Sequence, residues 1–326
     1  VLLITMTSIF SVGCKTTKET VGISFFALDT MIYIKVYDYK EKNKAIVYLE
    51  DCKTTIEDFE NKMSKTKIDS DVTKINLKTI DYDDVDTHVK NVIAKSLEYR
   101  EHISTLFDIY MGALIDVWDK AKANKVLPSK TEIDNALVDI SEEVIPVRDV
   151  KSYIKESKCM MDLGGVAKGY IADVLKNKAK DFDVSSAIIN LGGNVYVVGD
   201  KNGEDFTVGI YKPFKDNEIA DTVSVKSTSV VTSGIYQRYY QVEGDDTIYH
   251  HILDKRTGYP STSDVISASV VCENSMLSDM FATTCVVVGS KEAKDLLKKV
   301  GDYYHYDIKL ILIDKDYNLI KYDYEK

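Results

Sequence analysis

The chain has 326 residues, with 42 Lys and Arg against 52 Asp and Glu, and a formal net charge of −10. That length buries a sizeable core, and 44% hydrophobic with 29% charged residues excludes a disordered, collagenous or wholly membrane-embedded chain. The acid excess argues against a broad nucleic-acid or anionic-lipid surface, which needs clustered Lys and Arg, but it allows a small phosphate-bearing ligand held by local backbone donors.

Residues 1–12 read VLLITMTSIFSV, apolar but too short to span a bilayer, and run into Gly13-Cys14 and a polar stretch. The pattern predicts a secretory signal over 1–13 ending in a lipobox, lipidation of Cys14, a tether over 14–24 and a folded domain over 25–326. Such a protein is lipid-anchored outside the cytoplasm, on a bacterial cytoplasmic or inner membrane. A strand is expected at 31–37, then a helix over 41–63 from the spacing of Ala45, Leu49, Cys52, Ile56 and Phe59, then a polar loop over 64–71. Further helices are expected at about 88–104 and 131–137, the latter capped by Ser129 or Thr131. The centre reads as a short strand at 159–163, a Gly164-Gly165 turn, and an amphipathic helix over 166–180. Strands follow at 186–191 and 194–199 around Gly192-Gly193, then at 207–211, 222–231, 236–242 and 265–271. Helices at 274–288 and 290–300 precede a closing hairpin of 309–314 and 318–322. No repeat or long linker divides residues 21–326, and mixed α+β is the expected class. Cys52, Cys159, Cys272 and Cys285 form no CxxC pair; the apolar run around Cys285 predicts a buried free thiol, and pairing of the others stays open.

Three segments could carry chemistry. In Asp162-Leu-Gly-Gly-Val-Ala-Lys-Gly169 a strand passes through paired glycines into a helix, presenting backbone N–H groups, the positive end of the helix dipole and Lys168. It is neither a GxGxxG fingerprint nor a P-loop, so it reads as a phosphate cradle or as a tight βα turn. Asp279 and Thr283 are i and i+4 on a helix, sharing a face. Their oxygens suit a hard cation such as Mg²⁺, or else serve the helix itself. His250 and His251 precede a turn carrying Asp254, Arg256, Gly258 and Pro260. Neighbours on a strand face opposite ways, so at most one of them enters a given site. Zinc spacing is absent, as are a GxSxG elbow and a Ser/His/Asp arrangement. Phe107 and Trp118 read as core.

Taken in order, these segments and several others resemble the ApbE family of bacterial FAD:protein FMN transferases. The shared stretches are Ala27-Leu-Asp-Thr-Met31, Met63-Ser64 through Asp69-Ser70, Phe107-Asp-Ile with Gly112, Leu114 and Trp118, and Asp162 through Tyr170. They continue with Asn190-Leu-Gly-Gly193, Ser233-Gly234 with Arg238-Tyr239, His250 through Pro260, and Ser278-Asp279 with Thr283. The resemblance implies a T-fold-like α+β architecture, mixed or antiparallel sheets with packed helices, and FAD in a cleft. It implies Mg²⁺ on the Gly165 carbonyl, Asp279 and Thr283. It also implies a flavin nucleotide pocket lined by Leu28, Thr66, Leu106, Phe107, Asp108, Asp162, Lys168 and His251 or Ile252. The family moves FMN from FAD to a Thr or Ser hydroxyl of an acceptor protein, such as a membrane redox-complex subunit or an extracytosolic flavoprotein, and releases AMP. Proton transfer or electrostatic help would fall to His251 or His250, with Asp279 also placed to assist. The chain departs from the family in having Ser278 for Ala, Leu28-Asp29-Thr30 for Met-Gly-Thr, and Thr66 where many members carry an aromatic. Two alternatives are Mg²⁺-dependent hydrolysis of FAD to FMN and AMP, and a flavin-binding surface lipoprotein without catalysis.

Overall fold

The computed structural model describes residues 19–138, 140, 151 and 159–326. The expected signal over 1–13 and the lipidation site Cys14 lie outside them. Two strands open the fold, β1 (Val21–Ala27) and β2 (Thr30–Tyr39), followed by helices α1 (Lys42–Met63), α2 (Asp71–Leu77), α3 (Thr87–His102), α4 (Gly112–Asn124) and α5 (Lys130–Val138). Next come α6 (Ala167–Ala179), β3 (Val184–Asn190), β4 (Asn194–Val198), β5 (Phe206–Tyr211), β6 (Ile219–Val225) and β7 (Ser229–Gly234). Four two-residue strands, β8 (Tyr239–Tyr240), β9 (Tyr249–His250), β10 (Leu253–Asp254) and β11 (Tyr259–Pro260), precede β12 (Val265–Cys272). Two helices, α7 (Ser275–Val288) and α8 (Ser290–Tyr304), and the hairpin β13 (Ile308–Asp314) and β14 (Leu319–Tyr324) close the chain.

Eight strands form one antiparallel sheet in the order β1-β2-β3-β4-β7-β12-β13-β14. The class is α+β, with antiparallel sheets and packed helices. Alternation along β2 sends Ile32, Ile34 and Val36 inward, each fully buried, against α1. Helices α6 and α7 cover the sheet centre and α8 its far end. On the opposite face the β5–β6 hairpin covers the centre, Phe206 and Val225 packing with Val197, Val230 and Val271. Strand β12 is therefore covered on both faces, which explains why all eight of its residues are buried and its sequence does not alternate.

Most expected elements form within a few residues of their boundaries, and three differ. Residues 159–163 are not a strand. Their backbone bonds to loop and helix-end partners instead: Gly112 N–H to the Met160 carbonyl at 2.8 Å, Asp162 N–H to the Ile109 carbonyl at 2.7 Å, and Met161 to both ends of the Asn76 amide. The single strand expected over 222–231 splits at a left-handed Ser227 (φ 47°), so β6 pairs with β5 while β7 enters the main sheet. Of 236–242, only Tyr239 and Tyr240 pair, opposite His250 and Tyr249. The cap of α5 is Ser129. It forms a reciprocal box with Glu132: Glu132 N–H donates to Ser129 Oγ at 3.2 Å and Ser129 N–H to Glu132 Oε2 at 2.9 Å. All four cysteines among the described residues are buried free thiols.

Candidate active site

Helix α7 is apolar almost all round. Every residue from Ser275 to Val287 is buried except Thr283, which is partly open. Its N-terminus is held by Asn274, whose side chain accepts from Leu277 N–H at 2.8 Å, and by the Asp173 carboxylate, which accepts from the N–H groups of Ser275 and Met276. A carboxylate in such a helix is costly, yet Asp279 sits there at 4% exposure. Burial pushes its pKa up, while Lys168 and a 2.9 Å hydrogen bond from Gly169 N–H to Oδ2 pull it back.

That bond exists because α6 and α7 touch at a glycine. A Cβ on Gly169 would stand 2.5 Å from the Ser275 carbonyl oxygen and 2.7 Å from Met276 Cα, so only glycine lets the backbones approach. Two residues before α6 lies Gly165, exposed and beside the Phe107 ring. Asp162 shapes this turn, its Oδ1 accepting from Gly164 N–H at 2.6 Å. Its Oδ2 lies 3.4 Å from the Lys65 ammonium, which also meets Asp116 at 2.5 Å. Lys168, half-buried, has no ion-pair partner among the described residues, and its charge acts on both Asp279 and His251.

The two histidines have different surroundings. His250 is 5% exposed and both ring nitrogens are used: Nε2–H donates to the Ser261 carbonyl at 3.0 Å, and Nδ1 accepts from Ile252 N–H at 3.3 Å. Burial pushes its pKa down to about 4, so it is a neutral structural group. His251 presents an exposed edge but is hemmed in by protein, which lowers its pKa to about 3 with help from the Arg238 and Lys168 charges. Nδ1–H donates to the Arg238 carbonyl at 3.2 Å, the same oxygen that takes the His251 backbone N–H. Nε2 is thereby left with a lone pair. Ile252 is buried beside them.

The remaining expected residues divide. Leu28 and Asp29 form the β1–β2 turn with both φ angles left-handed, 53° and 57°, a conformation that favours glycine or asparagine over leucine. Leu28 N–H donates to Glu60 Oε1 at 3.0 Å, and Glu60 Oε2 meets Lys67 at 2.9 Å. Glu60 thus ties the Leu28 turn to the loop carrying exposed Thr66. Leu106 is half-buried, and Phe107 is buried edge-on to Tyr99 with ring centroids 5.7 Å apart. The Asp108 side chain is fully buried, between Arg100 Nε at 3.0 Å and Lys255 Nζ at 2.9 Å, so its carboxylate faces the protein interior. Trp118, expected in the core, is buried and donates Nε1–H to the Gly258 carbonyl at 2.8 Å, joining α4 to the turn after His251.

One end of the sheet thus gathers the Leu28 turn, the Gly192-Gly193 turn and the end of β7, with Gly193 carbonyl accepting from Thr232 N–H at 3.0 Å. Among the described residues, no three His, Cys, Asp or Glu side chains are grouped to hold a metal. What α7 presents instead is one buried carboxylate, Asp279, and one hydroxyl, Thr283, with the exposed Gly165 just before α6 as the expected carbonyl donor. An all-oxygen set of this kind, with a desolvated carboxylate, fits Mg²⁺ completing its shell with water and phosphate oxygens. Glu60, Arg238, Asn194 and Ser233 were not expected at the site. Ser233 and Arg238 lie within stretches shared with the family and Asn194 directly follows one; Glu60 acts across 32 residues and carries no local signal.

The sequence profile of the ApbE family matches residues 28–305. An FAD:protein FMN transferase of Klebsiella pneumoniae is 30% identical over 217 residues, 66% of this chain and 65% of that protein, just under two thirds of its length. One from Treponema pallidum is 28% identical over 290 residues, 83% of this chain and 80% of that protein. The crystal structure of an ApbE protein from Thermotoga maritima superimposes with a TM-score of 0.77 at 28% identity, covering 93% of this chain and 97% of that one. The flavin transferase ApbE of Vibrio cholerae, at 21% identity and a TM-score of 0.72 over 94% and 97%, shares the fold. With the profile spanning most of its length and the same architecture recurring in solved relatives, this chain belongs to the ApbE family.

Proposed function

We propose that this chain transfers FMN from FAD to a Thr or Ser hydroxyl of an acceptor protein, with Mg²⁺, releasing AMP. The observation that carries the reading is the buried Asp279 on a helix largely closed to solvent, within the field of Lys168 and sharing its helix face with the partly open Thr283. Asp279, Thr283 and the Gly165 carbonyl would hold Mg²⁺, which when bound neutralises diphosphate charge. Lys168 adds a mobile positive charge for the same phosphates. The acceptor oxygen forms a bond to the FMN phosphorus as the bond from that phosphorus to the bridging oxygen breaks, and AMP departs with that oxygen. The hydroxyl proton goes to His251 Nε2, whose lone pair is kept available by the Nδ1–H bond to the Arg238 carbonyl. An anionic diphosphate nearby would raise the low pKa of this imidazole toward the working range of a base. His250, with both nitrogens occupied, holds the segment in place.

Thr66 favours a second reading. It is exposed, and among the described residues its hydrogen bonds go to Ser64 of its own loop, so position 66 offers no ring to cover a flavin, and water could replace the acceptor hydroxyl. Incubating the protein with FAD, Mg²⁺ and an acceptor bearing a flavinylation-site Thr separates the outcomes. Covalent flavin on the acceptor supports transfer; free FMN and AMP alone support hydrolysis; neither product leaves only flavin binding. The same reading places the enzyme outside the cytoplasm on a lipid at Cys14, supported by the apolar run and Gly13-Cys14; loss of membrane association in Cys14→Ala is the expected result.

A further inference from the structure

The two side chains assigned to Mg²⁺ stand on α7, and each meets a polar side chain from the sheet beneath. Thr283 Oγ1 lies 3.1 Å from Ser233 Oγ, near the end of β7. Asp279 is approached from β4 by Asn194, which is 1% exposed. Asn194 Oδ1 accepts a 2.9 Å hydrogen bond from Ser275 Oγ in the first turn of α7, which fixes the amide so that Nδ2 is the end left to face Asp279. Nδ2 is buried and completes no well-formed hydrogen bond with the protein, a rare condition for an amide in a folded core. In the strand register Asn194 pairs with Val231, so Asn194 and Ser233 share the sheet face that α7 covers.

We propose that Ser233 and Asn194 are positioning residues for the cation, Ser233 acting through Thr283 and Asn194 through Asp279. A hydroxyl offers its lone pair to a metal only when its proton points elsewhere, and Ser233 Oγ is the acceptor within reach of that proton. Asp279 is held by Gly169 N–H from α6 and faced from β4 by the Asn194 amide, so its orientation is biased before a cation arrives. The sheet thereby orients ligands that the helix supplies. This rests on the assignment of the cation to Asp279 and Thr283.

The test titrates the full-length protein with Mn²⁺ alone, an EPR-visible hard cation, and follows free metal by EPR alongside the thermal midpoint. Ser233→Ala and Asn194→Ala are each expected to weaken Mn²⁺ binding about 10- to 100-fold, the usual loss when an outer-shell partner is removed. Ser233→Thr, which keeps the hydroxyl, should stay within about threefold of the parent on that scale. A purely structural role would lower the midpoint and leave the Mn²⁺ dissociation constant alone; that result for both alanine variants overturns the proposal. Asp279→Ala separates the two levels. If it binds Mn²⁺ as the parent does, the metal assignment fails and the positioning proposal with it. If it loses Mn²⁺ while both alanine variants bind normally, only the positioning proposal fails.

Discussion

Gly169→Ala sets two effects of opposite sign against each other. In an exposed helix the change is stabilising, by about 1 kcal/mol, because alanine loses less conformational freedom on folding. Here the new Cβ would meet the Ser275 carbonyl oxygen at 2.5 Å, Met276 Cα at 2.7 Å and Asp279 Cβ at 2.9 Å, none of them the tip of a flexible side chain. Relief requires α6 and α7 to part by about 1 Å to restore ordinary contact. The Gly169 N–H bond to Asp279, now 2.9 Å, then passes out of hydrogen-bonding range. Overpacking of a tight core costs about 1–3 kcal/mol, and a lost hydrogen bond to a charged group about 1.5–3 kcal/mol. After the helix gain is subtracted, the net expectation is a destabilisation of about 2–5 kcal/mol. Urea denaturation followed by far-UV circular dichroism measures it, and FAD turnover should fall with it because Asp279 loses a fixed donor. A variant within about 0.5 kcal/mol of the parent, or more stable, would refute the claim that these helices are in contact at Gly169.

His250 gives a pH dependence with a definite sign. Its folded pKa of about 4 lies below the ordinary 6.5, so the unfolded chain binds the proton more readily. Its contribution is fully present above pH 6.5 and is lost as pH falls through 4, about 3 kcal/mol in all. NMR titration of the imidazole Cε1–H checks this directly; a midpoint near 6.5 is incompatible with the buried neutral ring. Asp108→Asn leaves Arg100 and Lys255 without their shared carboxylate, and a loss of about 3–5 kcal/mol is expected by denaturant unfolding. A loss below about 1 kcal/mol would remove the buried ion pair from the account of the fold. His251→Gln should slow FMN transfer about 10²- to 10⁴-fold while FAD affinity changes little. Equal losses in His250→Gln and His251→Gln, with both variants folded, would contradict the division between them.

The elements with strong periodicity were legible, because α1, α7, β2 and the β13–β14 hairpin each carry a face or a run long enough to read. What could not be read was where backbone groups find partners far along the chain. Residues 159–163 look like a strand by composition, but their partners are Ile109, Gly112 and the Asn76 side chain, set by tertiary packing. Alternation along a strand predicts that only one of His250 and His251 can enter a site, yet not which one. That depends on the Ser261 and Arg238 carbonyls, which lie 11 and 13 residues away. Asp108 shows the same limit from the other side. Its place beside Phe107 suggests a ligand contact, while its side chain is absorbed by Arg100 and Lys255, the latter 147 residues distant. Glu60 could not have been chosen from among the many surface acids of α1.

The net charge of −10 raises the question of how such a chain would hold a diphosphate, and two lysines differ in a way that answers it. Lys65 is only 10% exposed and is surrounded by Asp116, Asp119 and Asp162, so its charge is spent within the protein. Lys168 has no such partner among the described residues, and its field reaches Asp279 and His251 instead. One uncommitted ammonium is a weak anchor in water, but it gains strength where protein excludes solvent. The backbone N–H groups at the start of α6 add donors without adding charge. An acidic surface and an anionic substrate are compatible on these terms, since the surface sets only long-range repulsion, which salt screens over about 8–10 Å. Raising ionic strength should therefore strengthen FAD association slightly, or leave it unchanged. Steep weakening with salt would show that a basic surface, and not this local arrangement, captures the substrate.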